Sequence, residues 1–416
     1  MRRTSVVLLS FAIAAFLLAG TARPADDEPK FGPYTASQLI GIVKTDKEAK
    51  RRRAAISGLT EIGLKSPRGV LALVAALKDD ADPEVRAAAA QSVGRVAQKA
   101  EARLEDPKEA KEELPRLMEA RDNCLEALRT ALQKDSDKDP KLDAKRARVR
   151  EACASALGRV GTELLTTRTA EDRSDSLVKN FTAAVPVLTG ALKDPDAGVR
   201  AAAAESLGRL SDYAREALPA LVEAFKDKKA DRFVRGYAAF AIGRIGGGDA
   251  RDAVPALAEA LTDKETPEAV RRSAATALGA LKADGAAGAA ALGQALKDPS
   301  VEVRRAAATS LGQVGGEART ALPALKDAAK DQDKFVRAQV LHVLGTMPQD
   351  VNEVLRVLTD ATQDQVLEVR LAAIEALGNL GPNAKAALPV LRGFKNDAQT
   401  AIREAAVEAI RKVEKE

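Results

Sequence analysis

Apolar residues recur along this chain with the spacing of one helix face, and the arrangement returns about every 33 residues. The last four intervals between its marker arginines are each 33 residues, and Arg53 lies 33 residues before Arg86 as a degenerate first copy. A fixed period of this length indicates a repeat protein. The marker is an apolar–arginine dipeptide, found at Val85-Arg86, Val149-Arg150, Val199-Arg200, Val234-Arg235, Val270-Arg271, Val303-Arg304, Val336-Arg337, Val369-Arg370 and Ile402-Arg403.

Each marker begins a stretch that predicts an amphipathic helix. A small residue follows the arginine by three positions, an aliphatic residue by seven and a glycine by eight. Counted from the residue before the arginine, the apolar sites fall at i, i+4 and i+8, which is one helix face. We expect the glycine either to relieve crowding against a neighbouring helix or to prepare the helix end. The glycines are Gly94, Gly158, Gly208, Gly243, Gly279, Gly312, Gly345 and Gly378.

Another helix, the first of each pair, is predicted before each marker helix, because proline suits the first turn of a helix. An aliphatic-Pro segment opens it, and an Asp- or Pro-containing turn separates it from the marker helix. These segments are Leu114-Pro115, Val185-Pro186, Leu218-Pro219, Val254-Pro255, Leu322-Pro323 and Leu388-Pro389. The sequence therefore predicts about ten helix pairs, over residues 35–65, 67–98, 113–161, 181–211, 215–246, 251–282, 285–315, 318–346, 351–381 and 384–414.

The repeat resembles the HEAT repeat family, in its short bacterial form of phycobilisome-lyase-like HEAT repeats. The resemblance implies an all-α fold, an α-solenoid or armadillo-like superhelix, in which neighbouring pairs share one continuous core. It also implies that the marker arginines form a hydrogen-bonded ladder with aspartates six residues upstream in adjacent repeats. The alternative for the arginine column is a phosphate-binding stripe. The ladder would use Arg86, Arg150, Arg200, Arg235, Arg271, Arg304, Arg337, Arg370 and Arg403, with Asp80, Asp194, Asp298, Asp331, Asp364 and Asp397.

The N-terminus has the anatomy of an export signal. Arg2 and Arg3 precede an apolar run from Val6 to Leu18, which is too short for an ordinary membrane-spanning helix. Gly20 and Ala22 suit a cleavage site after Ala22, so residues 1–22 are predicted to be a signal peptide; an uncleaved anchor is the alternative. We expect residues 23–34, with three prolines, to be an extended tether. The solenoid then spans 35–416, in the bacterial periplasm or outside the cell, with no second spanning segment.

Composition agrees with a helical repeat and narrows the function classes. Aromatic residues are only 3% of the 416 residues and tryptophan is absent. The 65 basic and 60 acidic residues nearly balance at a net charge of +5, which argues against a nucleic-acid partner unless the charge is segregated. Two polar insertions interrupt the array: residues 97–112, predicted as a loop or helical extension, and residues 162–180, predicted as a loop.

No catalytic, cofactor or metal motif stands out. His342 is the single histidine, which excludes a multi-histidine metal site, and it is predicted to be an ordinary surface residue. Cys124 and Cys153 fall on the two helices of one pair, at similar distances from its turn. A disulfide between them is permitted after export, and plain packing is the alternative.

One repeat differs from the others at positions expected to be exposed. Tyr237 and Phe240 replace the small or polar residues that most repeats carry two and five positions after the arginine. Exposed aromatic residues often anchor partners, so we expect a contact patch here; the alternative is that the rings fill gaps between helices. Residues expected beside the patch are Arg209, Arg244, Glu205 and Arg272. A basic row stands nine positions after the arginine and is interpreted either as an edge for an acidic partner or as solvated charge that complements the helix dipoles. Its residues are Arg95, Arg159, Arg209 and Arg244.

The sequence as a whole favours an exported, non-catalytic scaffold that binds a protein or peptide on the concave face of the solenoid. The resemblance leaves a tetrapyrrole lyase or chaperone-lyase as the enzymatic alternative. A binder of an anionic polymer or cell-wall ligand on the basic row is a third hypothesis. The identity of the partner and the oligomeric state are not specified by the sequence.

Overall fold

The computed structural model describes residues 28–104, 114–134, 140–167, 175–282 and 288–415. The predicted signal peptide lies outside these residues. The chain divides into two compact units, residues 1–206 and 207–416, and each is a stack of helix pairs. Within the described residues the pairs number ten, which confirms the predicted α-solenoid.

The first unit begins with two short strands and continues with helices. Strands β1 (Lys30–Phe31) and β2 (Tyr34–Thr35) pair antiparallel. Its helices are α1 (Ala36–Thr45), α2 (Ala49–Ile62), α3 (Pro67–Asp79), α4 (Pro83–Leu104), α5 (Leu114–Lys134), α6 (Pro140–Thr167), α7 (Asp175–Ala191) and α8 (Ala197–Leu210), the last of which crosses the boundary between the units.

The hairpin corrects the prediction of an extended tether over residues 23–34. The Phe31 ring packs on α2, where a Cβ built on Gly58 would lie 3.1 Å from it. The amide of Ala36 donates to the carbonyl of Pro29 at 2.9 Å. Thr35 and Gln38 then form a reciprocal capping box that starts α1. Residues 28–35 are therefore folded onto the first helix pair, while residues 23–27 lie outside the described part of the chain.

The second unit continues the same alternation of helices. Short 3₁₀ segments, such as Gly315–Ala321 and Gly381–Ala387, connect one pair to the next. Its helices are α9 (Leu218–Lys226), α10 (Arg232–Ile245), α11 (Val254–Thr262), α12 (Glu268–Ala280), α13 (Ala289–Ala295), α14 (Val301–Val314), α15 (Leu322–Ala328), α16 (Lys334–Leu344), α17 (Val351–Ala361), α18 (Leu367–Asn379), α19 (Leu388–Gly393) and α20 (Thr400–Glu414).

Each unit has two layers of helices with the core between them. The second helices of successive pairs pack on one another, as in α10, α12, α14, α16, α18 and α20 of the second unit. The apolar residue before each marker arginine is buried, with Val234, Val270 and Val303 at 1% exposure or less. A lone pair could not cover these side chains, so stacking supplies the core.

The repeated glycine relieves crowding between neighbouring second helices. A Cβ built on Gly345 would lie 2.7 Å from the Cα of Ala376 on the next second helix, and one on Gly378 would lie 2.8 Å from the Cα of Ala409. Real Cβ atoms do not approach backbone so closely, so glycine sets the distance between these helices. Gly312 differs, since its nearest neighbour would be the flexible Gln339 side chain at 3.1 Å.

Several predicted helix boundaries shift. Pro219, Pro255, Pro323 and Pro389 each stand in the first turn of a helix, as predicted. Pro186 instead lies inside α7, which begins eleven residues earlier at Asp175. The segment 162–180, predicted as a loop, is helical over residues 162–167 and 175–180, and residues 97–104 extend α4. The remainder of both insertions, residues 105–112 and 168–174, lies outside the described residues.

Candidate functional site

The exposed face of α10 carries an aromatic stripe, which we define as Phe233, Tyr237 and Phe240. With Arg244 these residues follow the spacing i, i+4, i+7 and i+11, which keeps them on one side of the helix. Phe233 is 54% exposed and Phe240 38%, while Tyr237 is partly buried. Large apolar side chains on one exposed helix face are a common mark of a contact surface.

The three rings are held differently. Phe240 also fills a gap, because a Cβ built on Gly208 of α8 would lie 2.9 Å from its ring. Phe233 stands at the start of α10, where the Arg232 guanidinium lies 4.9 Å from its ring centroid. Phe240 thus serves both predicted roles, packing and exposure, whereas Phe233 projects furthest into solvent of the three.

The neighbouring helix α12 presents small side chains at the same positions. Ala269, Thr276 and Ala280 are exposed and Ser273 is partly buried. The aromatic stripe therefore borders a strip of low side chains, and Arg272 stands exposed on that strip. The bulky side chains of the aromatic stripe therefore form a ridge, and the small side chains of α12 beside it form a floor.

The predicted patch residues are distributed over both units. Arg209 is partly buried and Arg244 and Arg272 are exposed, all in the second unit. Glu205 is partly buried and belongs to the first unit. Of the predicted basic row, Arg95 and Arg159 are exposed and belong to the first unit, while the partly buried Arg209 and the exposed Arg244 belong to the second.

The arginine ladder has a regular geometry. The Nε and Nη2 atoms of each rung arginine donate to both carboxylate oxygens of an aspartate in the next inter-helix turn, at 2.7–3.1 Å. In each such turn the aspartate Oδ1 also accepts the backbone N–H two residues later, as Asp331 does from Asp333 at 2.8 Å. Within the described residues the rungs are Arg52–Asp80, Arg150–Asp194, Arg271–Asp298, Arg304–Asp331 and Arg337–Asp364.

The rungs perturb the titration of their arginines. Hydrogen bonds to Asp298 raise the pKa of Arg271 above its usual value, and those to Asp80 do the same for Arg52. Burial alone would lower the pKa of Arg150, but its bonds to Asp194 and Asp143 outweigh this and raise it. These guanidiniums are engaged inside the fold, which favours the ladder over a phosphate-binding stripe for them.

The first rung corrects one prediction. Arg52, rather than Arg53, bonds to Asp80, and Arg53 is exposed. The residue 33 positions before Arg86 is therefore one place out of register.

Arg235 departs most from the ladder. It is only 5% exposed, yet no described carboxylate lies within ion-pair distance of it. Its Nε donates to the carbonyl of Phe225 at 3.0 Å, and its guanidinium lies 5.5 Å from the Phe225 ring centroid. Burial lowers its pKa. The ion pair that the ladder predicts for Arg235 is therefore not formed among the described residues. Arg235 lies on α10, the helix that carries the aromatic stripe.

The remaining ladder arginines bond to backbone. Nη1 of each donates to the carbonyl of its own turn, six residues upstream, at 2.7–2.9 Å. Asp397, predicted as a ladder residue, accepts such a bond through its carbonyl, and no described bond joins its carboxylate to Arg370. The arginines are Arg86, Arg200, Arg370 and Arg403.

Other predicted chemical groups are placed as structural or surface residues. Cys124 and Cys153 are buried thiols that form no disulfide, and burial raises the pKa of Cys124 to about 12. His342 is exposed on α16. Among the described residues no His, Cys, Asp and Glu cluster is able to hold a metal ion, and none of their helices is both long and apolar enough to span a membrane.

A shallow cavity of about 370 Å³ lies at the turns that join α13 to α14 and α15 to α16. Its lining includes Asp298, Arg304 and Asp331, which bond to one another through the ladder, and Lys297, which pairs with Asp327 at 2.9 Å. These four charges are thus already matched by neighbours.

Sequence reasoning missed three notable side chains. Phe233 and Phe335 each stand two residues before a marker arginine, and Phe335 is 59% exposed on α16. Each lies on the helix face that continues through the positions two and five after its arginine, so helical periodicity was the available signal. Arg121 in α5 is fully buried and bonds to Asp122, and no repeat signal marks it.

Comparison with solved structures gives distant likenesses. The chain is similar to the karyopherin Kap121p bound to Nup53p, at 15% identity and a TM-score of 0.49, over 91% of this chain and 41% of that one. Kap121p bound to the extreme C-terminus of the protein phosphatase Cdc14p gives 14% identity and 0.47, over 91% and 45%. The chain thus spans less than half the length of these karyopherin chains. The Escherichia coli protein YibA gives 19% identity and 0.44, over 69% and 95%. No curated protein sequence matches this chain.

Family models match the chain along most of its length. The description "HEAT repeats" matches residues 125–233, 228–290, 289–370 and 336–411, and "HEAT repeat" matches residues 70–100. These matches cover more than half of the sequence and coincide with the helix pairs. The chain therefore belongs to the HEAT repeat family.

Proposed function

We propose that this protein is an exported scaffold that binds another protein or a peptide without catalysing a reaction. The aromatic stripe on α10 is the observation that carries the proposal. Aromatic side chains supply much of the energy of protein interfaces when they leave water, and here three lie on one exposed face. The rings stand on a helix that is packed within the stack of helix pairs. The surface is therefore preorganised and loses little conformational entropy on binding.

Export is part of the proposal and rests on the sequence of residues 1–22. If it is correct, the protein recovered from its own cells begins at Arg23, and fractionation places it in the periplasm or the medium. Mass determination of the intact protein decides this directly. A cytoplasmic protein that retains Met1 would overturn the export proposal and leave the binding proposal standing.

The binding proposal is tested with photo-cross-linking in cells. A photoreactive amino acid replaces Thr276, which is exposed beside the aromatic stripe, or Glu375, which occupies the same repeat position on α18. We expect a discrete cross-linked protein band with the probe at position 276 and none with the probe at 375. The band should vanish in a Phe233→Ser, Tyr237→Ser double variant and persist in Phe335→Ser, an equally exposed phenylalanine at the same repeat position as Phe233.

Other outcomes distinguish the alternatives. Equal bands at both positions would move the site away from α10. Exposure of Arg95 and Arg244 favours an anionic ligand as the second candidate, which predicts binding of polyphosphate or an acidic glycan that Arg244→Glu abolishes. A role like that of the phycobilisome-lyase-like repeats predicts a visible absorbance change when a linear tetrapyrrole is added, and no change would remove that alternative.

A further inference from the structure

We propose that the occupant of the aromatic stripe is an acidic amphipathic α-helix of about three turns, which lies along α10 above α12. This inference rests on the proposed function and names the chemistry of the partner. It follows from the direction of the exposed aromatic residues, from the height of the neighbouring side chains and from the charges beside them.

The direction of the stripe selects a helical partner over an extended one. From Phe233 to Arg244 the stripe covers eleven residues, which is about 16 Å along the axis of α10. An extended peptide laid across successive helices would need one anchor on each. The positions on α12 that correspond to the three rings hold Ala269, Ser273 and Thr276 instead. A ligand that meets all three rings together has its own axis along α10, and apolar residues at i, i+4 and i+7 of a helix reach them.

The side chains of α12 leave room for such a helix. The strip of Ala269, Ser273, Thr276 and Ala280 is low and flat beside the aromatic ridge. The next helix, α14, has small residues at the two central positions, Ala306 and Thr309, whereas the outer two hold Glu302, which pairs with Arg305, and Gln313. Packed helices have their axes about 8–10 Å apart. The small side chains of α12 allow a docked helix to approach this closely.

The charges around the stripe favour an acidic partner. Arg244 and Arg272 are exposed and form no ion pair with any described residue. Arg232 is also exposed, and its guanidinium lies over the Phe233 ring. Glu268 and the capping residue Asp231 are the acidic side chains nearest in sequence, so the surface keeps a positive excess. Carboxylates on the flanks of a docked helix would pair with these guanidiniums and steer the approach.

Selection from a displayed library of random 18-residue peptides tests the proposal. The complete protein with a C-terminal tag is the bait, and the Phe233→Ser, Tyr237→Ser variant removes peptides that bind elsewhere. Circular dichroism first checks that this variant folds, which is expected because Phe233 is exposed and Tyr237 only partly buried. We expect the retained peptides to be acidic, with apolar residues spaced three and four apart. The most enriched one, synthesised and labelled, should gain helix on binding.

Fluorescence anisotropy with that labelled peptide gives the quantitative result. We expect at least a tenfold loss of affinity in the Phe233→Ser, Tyr237→Ser variant and a similar loss in Arg244→Glu, Arg272→Glu, which leaves the rings in place. Phe335→Ser should bind like the parent, and added salt should weaken binding to the parent.

The outcomes separate the two proposals. Retained peptides that are basic or neutral, or whose apolar residues alternate with period two, would overturn the acidic-helix inference and leave the scaffold proposal intact. A selection in which no peptide depends on the aromatic stripe would overturn both.

Discussion

Two helix pairs of the same compact unit, α15/α16 and α9/α10, share the repeat but differ at its central arginine. In α16, Arg337 holds both oxygens of Asp364 at 2.8 and 3.0 Å and also donates to the carbonyl of Asp331. In α10, Arg235 is buried without a carboxylate and turns back to the carbonyl of Phe225. The first arginine ties its pair to the next one, whereas the second bonds within its own pair.

A longer inter-helix turn accompanies the difference. Asp364 stands six residues before Arg370, but Asp263, which would complete the rung of Arg235, stands eight residues before Arg271. The longer turn engages Asp263 locally, through the backbone N–H of Glu265 and the hydroxyl of Thr266. Arg200 and Arg370 also lack a described carboxylate partner in the next turn, but Arg235 is the most buried of the three, and its repeat carries the aromatic stripe. Departures from regularity therefore coincide at the candidate site.

The largest expected effect comes from removing the two arginines separately. Arg337→Met should lower the free energy of unfolding by about 3 kcal/mol, because it leaves the mostly buried carboxylate of Asp364 without its partner. Arg235→Met should cost less than about 1 kcal/mol, because it loses one hydrogen bond and also removes a poorly solvated charge. Urea unfolding of both variants measures the difference. Equal losses would mean that Arg235 has a charged partner in solution and would erase the contrast between the pairs.

Alanine at the repeated glycine tests whether the two regions are packed equally closely. Gly345→Ala and Gly243→Ala should each cost about 1–3 kcal/mol, since their Cβ atoms would lie 2.7 and 2.9 Å from a neighbouring Cα. Gly312→Ala is the matched control and should be neutral or stabilise by up to about 1 kcal/mol, because helix propensity improves and a flexible side chain can move. Thermal unfolding ranks the three variants. If Gly243→Ala proves as mild as Gly312→Ala, the junction between α10 and α12 is looser than that between α16 and α18.

The pH dependence of stability tests an arginine–aspartate pair in a repeat that keeps its ladder rung. Arg305 bonds to both oxygens of Asp333 and lowers the pKa of that carboxyl to about 2. A lowered folded-state pKa stabilises the protein above the unfolded value, near ~4, and this contribution is lost as the pH falls toward 2. Arg305→Gln should therefore be less stable than the parent at pH 6, and the gap should shrink between pH 4 and 2. A gap that stays constant with pH would show that the pair contributes through packing alone.

The smallest expected effect concerns two non-glycine residues with positive φ that follow second helices. Lys282 has φ +52° and makes no described side-chain bond, so Lys282→Gly should stabilise by about 0.5–1 kcal/mol. Ser211, at φ +50°, donates to the carbonyl of Arg244 at the end of α10, so Ser211→Gly should be close to neutral. Differential scanning calorimetry resolves the two midpoints. A loss of stability in Lys282→Gly would argue against strain at this position.

Much of the fold was determined by the sequence alone. The period of the apolar residues specifies helix pairs, because only a helix brings i, i+4 and i+8 to one face, and one pair cannot bury that face without a neighbour. Proline and aspartate specified the helix starts and turns, since their backbone preferences act locally. The six-residue interval between aspartate and arginine gave most of the ladder rungs, because a turn of fixed length returns the carboxylate to the same height.

The tertiary structure decided what depends on distances between repeats. The open state of Arg235 results from turn length and packing together, and neither is encoded at the arginine itself. The role of each glycine depends on whether the next helix presents backbone, as Ala376 does to Gly345, or a movable side chain, as Gln339 does to Gly312. Cys124 and Cys153 lie in the core without forming a disulfide, and Phe240 both packs on Gly208 and reaches solvent. Such outcomes follow from contacts between residues far apart in the chain. The pattern of residues along the sequence does not specify the distances between them.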